Sequence, residues 1–257
     1  MLKVHLLSCE IRISERPELK NPILIEGLPG IGLVANIAVA FLIKKLKANL
    51  LGEIRSAAFP DIAVVEKDGA IKTPFCRLYY YKGRENEGRD LLLLHGNTQA
   101  LTRRGQYELC NAILDVSERF GCKYIITLGG YRPGKRVERP NLYYAASDPK
   151  AARTAASIGA EILSGQIYGV AGLLIGLAAL RGMRGFCLLA ETSGDILDVK
   201  AAREVLKAIS GILELNIDLE DLIDSEGLAD FLVPFDFGVL RRKRLKRMAR
   251  PRPEWFV

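Results

Sequence analysis

Histidine, tryptophan and paired cysteine are almost missing from this chain, and each scarcity removes a class of chemistry. The only histidines are His5 and His95, and Cys9, Cys76, Cys110, Cys122 and Cys187 form no C-x-x-C pair. Zinc sites draw their ligands from such clusters, so no metal centre is expected. An odd number of cysteines without metal spacing fits buried thiols. The most apolar windows, Ile31 to Ile43 and Gly169 to Leu180, fall short of the roughly 20 residues that span a bilayer. The opening MLKVHLLSCE meets an acid after a short apolar stretch and has no small-residue cleavage site, unlike a secretory signal. The expectation is a cytoplasmic protein with no membrane contact. G-x-S-x-G, H-E-x-x-H and a Gly-Lys-Ser/Thr phosphate loop are also absent, and nothing orders Ser, His and Asp as a triad. No catalytic residue and no cofactor is assigned, and the chain reads as a non-enzyme.

What is present is unevenly spread. The segment Arg241 to Arg252 holds eight Lys or Arg and no acid. Setting those eight apart from the 37 basic residues, and Glu254 from the 30 acidic ones, leaves 29 of each in residues 1–240. The net charge of +7 therefore belongs to the end of the chain. With 257 residues, 49% of them hydrophobic, the remainder can bury a large core. The expected organisation is one α/β domain over residues 1–240 and a flexible basic tail over 241–257.

Periodicity alternates between strand and helix, which argues for a three-layer α/β/α domain with a mixed sheet. Pro22 to Glu26 reads as a buried strand and Ile31 to Ala48 as an apolar helix closed by Lys44, Lys45 and Lys47, where cations suit the helix dipole. Leu50 to Phe59, Ala63 to Glu66 and Ile71 to Tyr81 have strand character, with Lys67-Asp68-Gly69 as hairpin turn chemistry. Asp90 to His95, Tyr124 to Leu128, Leu142 to Ala146 and Phe186 to Ala190 are further strands. Helices are expected over Gln106 to Phe120, from Asp148-Pro149, over Gly169 to Leu180 and over Asp198 to Leu213, where Val199, Ala202, Val205, Ile209 and Ile212 share a face. Residues 218–231 read as a short acidic helix.

Three strand ends carry polar or glycine-rich chemistry. Glu26-Gly27-Leu28-Pro29-Gly30-Ile31-Gly32 is a strand-to-helix turn whose glycines permit positive φ and close backbone approach. Gly30, Gly32 and Ala35 fit a dinucleotide fingerprint with Glu53 about 20 residues on. The turn can also be nothing more than a joint that packs helix on sheet. His95 with Asn97, Thr98 and Gln99, Gly129-Gly130-Tyr131-Arg132, and Glu191 to Asp195 are the other edges. Gly27, Gly30, Gly32, His95, Arg132 and Glu191 are the candidate contacts of a cleft for a phosphate or nucleoside, the alternative being a polar rim.

The tail admits several partners. Arg241, Arg242, Lys243, Arg244, Lys246 and Arg247 could meet the phosphates of a nucleic acid through counterion release, or an acidic protein surface. Trp255, the only tryptophan, stands with Phe256 and Val257 beside a free carboxylate. Base stacking is one use for such aromatics. An aromatic pair at a free chain end also suits a partner's pocket. From Arg241 the 17 remaining residues could reach about 55 Å when fully extended.

Taken together, Glu26-Gly27-Leu28-Pro29-Gly30-Ile31-Gly32-Leu33-Val34-Ala35, the Gly129-Gly130-Tyr131 edge, Asp148-Pro149-Lys150-Ala151-Ala152, the Gly169 to Arg181 segment leading to Glu191-Thr192, and Asp198 to Ile212 resemble the proteasome assembly chaperone family, particularly its archaeal members. The resemblance covers roughly residues 20–215 and rests on the order of the motifs. It implies a fold related to nucleoside phosphorylases, no established catalysis, and symmetric homo-oligomers whose tails contact the α subunits of the 20S proteasome to aid assembly or activation. Such proteins carry a terminal hydrophobic-tyrosine-any motif. Trp255 matches its hydrophobic position and Val257 its free end, whereas Phe256 replaces the tyrosine. The missing hydroxyl removes a hydrogen bond worth about 0.5–1.5 kcal/mol net, which bears on gate opening more than on docking.

Overall fold

A computed structural model describes residues 9–65, 69–83, 88–133, 137–194 and 197–223. Its strands are β1 (Cys9–Ile13), β2 (Ile23–Gly27), β3 (Asn49–Ser56), β4 (Val64–Val65), β5 (Ile71–Lys72), β6 (Cys76–Tyr81), β7 (Leu91–Gly96), β8 (Tyr124–Tyr131), β9 (Leu142–Ala146), β10 (Glu161–Ile162) and β11 (Arg184–Glu191). The α-helices are α1 (Val34–Lys45), α2 (Arg103–Arg119), α3 (Pro149–Ser157), α4 (Val170–Leu180) and α5 (Val199–Ser210). A nine-stranded sheet runs in the order β1-β3-β6-β7-β2-β8-β11-β9-β10, and β4 and β5 form a separate hairpin. The centre, β7-β2-β8-β11, is parallel, while β1, β3 and β6 are joined antiparallel on one side and β9 antiparallel to β11 on the other. The sheet is therefore mixed, and helices cover both its faces.

Alternation along the central strands feeds two cores. Ile23, Ile25, Leu91, Leu93, Ile126, Leu128, Phe186 and Leu188 pack under α1 and α5. Leu24, Leu92, Leu94, Ile125, Cys187 and Leu189 pack under α2 and α4. Strands buried on both faces read as continuous apolar runs, which is why their sequence gave strand without alternation. Helix α1 is buried at every position from Val34 to Ile43, since α5 and the chain that follows it close over the side away from the sheet. An all-round apolar helix is the consequence of that enclosure.

Local chemistry sets the boundaries. The Asp148 carboxylate caps α3, accepting from Lys150 N at 2.8 Å and Ala151 N at 3.1 Å, with Pro149 as the first helical residue. Thr102 caps α2 through Gly105 N, so this helix begins earlier than the apolar spacing from Gln106 suggests. The helix expected from Ile31 is split into a 3-10 turn, Ile31–Leu33, and α1, because Gly32 (φ +65°) and Leu33 (φ +51°) are left-handed. The strand expected over Ile71 to Tyr81 is interrupted at Thr73-Pro74-Phe75, where proline cannot donate to a ladder. Residues 218–231 contain a short 3-10 turn, Glu220–Ile223, and the rest of the expected acidic helix lies outside the described residues, as does the tail 241–257. Cys76, Cys110, Cys122 and Cys187 are buried. Burial raises the thiols of Cys110 and Cys187 to about 12 and that of Cys122 to about 11, which leaves them protonated and inert as nucleophiles.

Polar side chains are buried on the central strands as well, among them Glu26, His95, Thr127 and Glu191. Glu26, on β2, is 1% exposed. Its Oε1 accepts from Leu28 N at 2.8 Å, and its Oε2 has no partner among the described residues. Burial pushes its pKa up from 4.5 to about 8, so the folded protein holds a neutral carboxylic acid at pH 7. The unfolded chain ionises above its ordinary value while the fold does not, so this group's contribution is fully present at low pH and is lost as pH rises towards the folded value. Between pH 5 and 8 wild type should lose stability relative to Glu26→Gln at about 1.4 kcal/mol per pH unit. Urea denaturation of both chains across that range measures the difference, and parallel pH profiles would show that Glu26 ionises normally in the fold.

Candidate functional site

The chain leaves β2 through α1 on one face of the sheet and leaves β7 through α2 on the other. That reversal makes the carboxyl end of β2 the place where open α/β sheets present ligand crevices. The glycine turn occupies it. Gly27, the last residue of β2, faces α1 so closely that a Cβ would overlap the Val39 side chain. At Gly32 a Cβ would lie 2.7 Å from Thr192 Oγ1, and the positive φ adds a second reason for glycine. Gly30 is different: it is extended and exposed, with open space around its Cα.

The neighbouring strand ends are tied to this turn by internal hydrogen bonds. Asp198 N donates to Gly32 O at 2.9 Å, and Thr192 Oγ1 donates to Asp198 Oδ2 at 2.6 Å. The other carboxylate oxygen of Asp198 caps α5 by accepting from Ala201 N at 3.0 Å. Asp198 thus joins the start of α5 to the end of β11 and to the glycine turn. On the opposite flank, Gln99 Nε2 donates to Pro29 O at 2.7 Å, while its Oε1 accepts from Val170 N at 3.1 Å at the start of α4. Asn36 Nδ2 donates to the carbonyls of Gly27 (3.1 Å) and Gly96 (2.8 Å), holding β2 and β7 against α1.

The six candidate cleft residues fall on this edge in different roles. Gly27, Gly30 and Gly32 line the turn. His95 pairs with Gly27 across the parallel ladder and is 1% exposed. Burial, and then the charge of Arg77, lowers its pKa to about 4, so it is neutral at physiological pH and buried beneath the edge. Arg132 lies just beyond β8, exposed, and its Nη2 donates to Gly194 O at 2.9 Å. Glu191 ends β11 and is 3% exposed. Its Oε2 accepts from Asn141 N (3.2 Å) and Nδ2 (2.9 Å), and its Oε1 from Tyr143 OH (3.2 Å). Those bonds anchor the start of β9. The structure brings the six to one side of the molecule, with Arg132 and Glu191 both engaged by protein groups and Gly30 open.

Thr192, Asp198 and Gln99 carry most of this joint, and sequence reasoning gave them no such part. The signal available was weak: Asp198 precedes an amphipathic helix, which marks a cap but not a link to a distant turn. Two grooves among the described residues lie away from this edge. One of about 700 Å³ is lined by Ile13, Pro17, Leu19, Arg119 and Phe120, and one of about 400 Å³ by Glu10, Arg55, Phe59, Pro60, Ile62 and Pro74. Among the described residues no helix is long and apolar enough to cross a membrane. The tail residues Arg241, Arg242, Lys243, Arg244, Lys246, Arg247, Trp255, Phe256 and Val257 lie outside the described residues.

Comparison with known proteins places this architecture. Over 226 residues the chain is 32% identical to the uncharacterized protein MJ1210 of Methanocaldococcus jannaschii, covering 86% of this chain and 85% of the relative. Among solved structures it is similar to Pyrococcus furiosus PbaB, an archaeal proteasome activator, with 34% identity and a TM-score of 0.80 over 93% of this chain and all of that one. It is also similar to Pyrococcus furiosus PbaA, an archaeal homolog of proteasome-assembly chaperone, with 26% identity and a TM-score of 0.70 over 93% and 95% of the two chains. The model of the PAC2 family matches residues 24–227, which include the glycine turn, its latches and every central strand. The chain belongs to the PAC2 family.

Proposed function

We propose that this protein is a non-enzymatic, cytoplasmic chaperone or adaptor of the 20S proteasome, and that it docks on the α ring through Trp255, Phe256 and Val257. The observation that carries this reading is the likeness to PbaB, an archaeal proteasome activator, along the whole of that chain. The sequence of residues 241–257 supports it independently, because a basic segment leading to an aromatic pair suits an acidic surface with an apolar pocket. The arm speeds encounter and the hook holds. In a homo-oligomer several tails would engage neighbouring pockets, so modest single contacts combine through effective concentration.

Binding to purified α subunits, followed by native gel and size exclusion, tests the hook. A chain ending at Glu254 should lose binding, and Trp255→Ala should cost more than any single arm arginine to alanine. Equal losses would reduce the terminus to one more part of a basic tether. Restoring the tyrosine with Phe256→Tyr should tighten docking by about twofold to tenfold, with a larger effect on peptide hydrolysis by the gated particle if the hydroxyl opens the gate. Nucleosides, nucleotides and inorganic phosphate should leave the thermal midpoint unchanged, since ligands that bind the native state alone raise it. A shift with any of them would revive the strand-edge cleft, and binding to nucleic acid that survives loss of the last three residues would assign the arm to phosphates instead.

A further inference from the structure

The sheet ends on one side in β1, which among the described residues is paired only with β3. Ser14 N donates to Leu51 O at 2.8 Å in continuation of that ladder. The pairs that exchange backbone hydrogen bonds alternate along an antiparallel ladder, so Arg12 with Glu53 and Glu10 with Arg55 are bonded pairs. Ile11 and Ile13 then turn their N–H and C=O groups away from β3, towards the side where no strand lies among the described residues. An edge of this kind is a template for another strand.

The side chains of β1 say which strand fits. Cys9, Ile11 and Ile13 are half-buried against the core beneath α2, while Glu10 and Arg12 are exposed on the other face. On that exposed face charges alternate from strand to strand: Arg12 lies opposite Glu53, which lies opposite Arg77, and Glu10 lies opposite Arg55. Arg77 Nε donates to Glu53 Oε2 at 2.9 Å. The Glu10 and Arg12 charges are placed symmetrically about Ile11 with opposite sign.

We infer that β1 pairs antiparallel with β1 of a second copy about Ile11, joining two sheets into one continuous sheet across a twofold axis. In this register Glu10 faces the partner's Arg12, Ile11 faces the partner's Ile11 and Cys9 faces the partner's Ile13. The sequence of charges across the junction becomes Arg55, Glu10, the partner's Arg12, the partner's Glu53 and the partner's Arg77, alternating in sign throughout. Competing arrangements lose this match. A slide of two residues sets Glu10 against the partner's Glu10 or Arg12 against the partner's Arg12, and in-register parallel pairing does both. A slide of one residue sets the apolar stripe against the charged face. Like charges directly opposite destabilise a pair of strands, so the same two residues favour one register and oppose the others. The contact is isologous and closes on itself. This inference rests on the homo-oligomer part of the function proposed above and is independent of the tail.

Light scattering coupled to size exclusion on the full chain, wild type and variants, tests it. Twofold symmetry turns each single reversal into a pair of like-charge contacts, so Glu10→Arg and Arg12→Glu should each weaken self-association by about tenfold or more. The two variants mixed in equal amounts should associate with one another, because every contact across the junction is then between opposite charges. Ile11→Pro should also separate the copies without removing a hydrogen bond to β3, since the lost N–H points away from that strand, with a lower thermal midpoint from the lost Ile11 packing and circular dichroism showing the fold retained. Variants that keep the wild-type mass, or two reversed chains that fail to combine on mixing, would overturn the pairing while leaving homo-oligomerisation through another surface intact. A wild-type chain that is monomeric at every concentration would overturn both, whatever its tail binds.

Discussion

The backbone of the glycine turn after β2 rests directly on the ends of β8 and β11, and the positions of the helices follow from that approach. Gly130 of β8 has no room for a side chain because the carbonyl of Ile31 and the methyl of Thr192 fill the space. A turn this close exposes backbone donors and acceptors to an interior without water, and each must find a partner there. Gly32 O finds Asp198 N, Gly27 O finds Asn36, and Pro29 O finds Gln99. Each partner belongs to a different segment, so satisfying one turn fixes the starts of α1 and α5 and, through Val170, of α4. The left-handed conformation at Leu33, costly for a branched apolar residue, persists because these bonds over-determine the turn.

The same turn explains the partial fit to a dinucleotide fingerprint. Glycines are needed in such motifs so that backbone can approach phosphate closely. Here the close approach at Gly27 and Gly32 is to Val39, Ala35 and Thr192 of the protein itself. Close backbone packing and ligand cradling call for the same residue type, and a sequence pattern does not separate them. Gly30, with open space where a Cβ would sit, is the position of the turn that close packing does not account for.

Much of the fold was legible because most elements announce themselves through local chemistry. Asp148-Pro149 marks a cap, Val199 to Ile209 an amphipathic face, and the runs at Leu91 and Ile125 a doubly covered strand. The elements that escaped had no local signal: β10 has two residues, and β1 is a short alternation of half-buried and charged residues whose partner, β3, lies far along the chain. The joint at the carboxyl edge was legible in its glycines and not in its latches. Thr192 and Asp198 are ordinary residues until β11 and α5 are placed beside the β2 turn, and Glu26 reads as part of a turn motif until the strands on either side of it bury its carboxyl.

On the proposed docking, body and tail would divide the physical work. Residues 1–240 carry equal numbers of acidic and basic residues, so long-range attraction to an acidic partner would come from the basic segment 241–252, screened over about 8–10 Å at ordinary salt. The proposed hook would gain most of its affinity from apolar burial, which salt does not screen in this way. The inferred edge pairing through β1 would combine both kinds of term, apolar contact at Ile11 and charge matching at Glu10 and Arg12, with the charges setting register more than strength because exposed ion pairs contribute little net free energy. In the proposed arrangement, a twofold body bearing a tail on each copy would convert the second docking event into an intramolecular one, at an effective concentration on the order of mM for a short flexible linker. Weak individual hooks would then be sufficient, and phenylalanine at Phe256 in place of tyrosine would cost less in an assembly held by several tails than in a single chain.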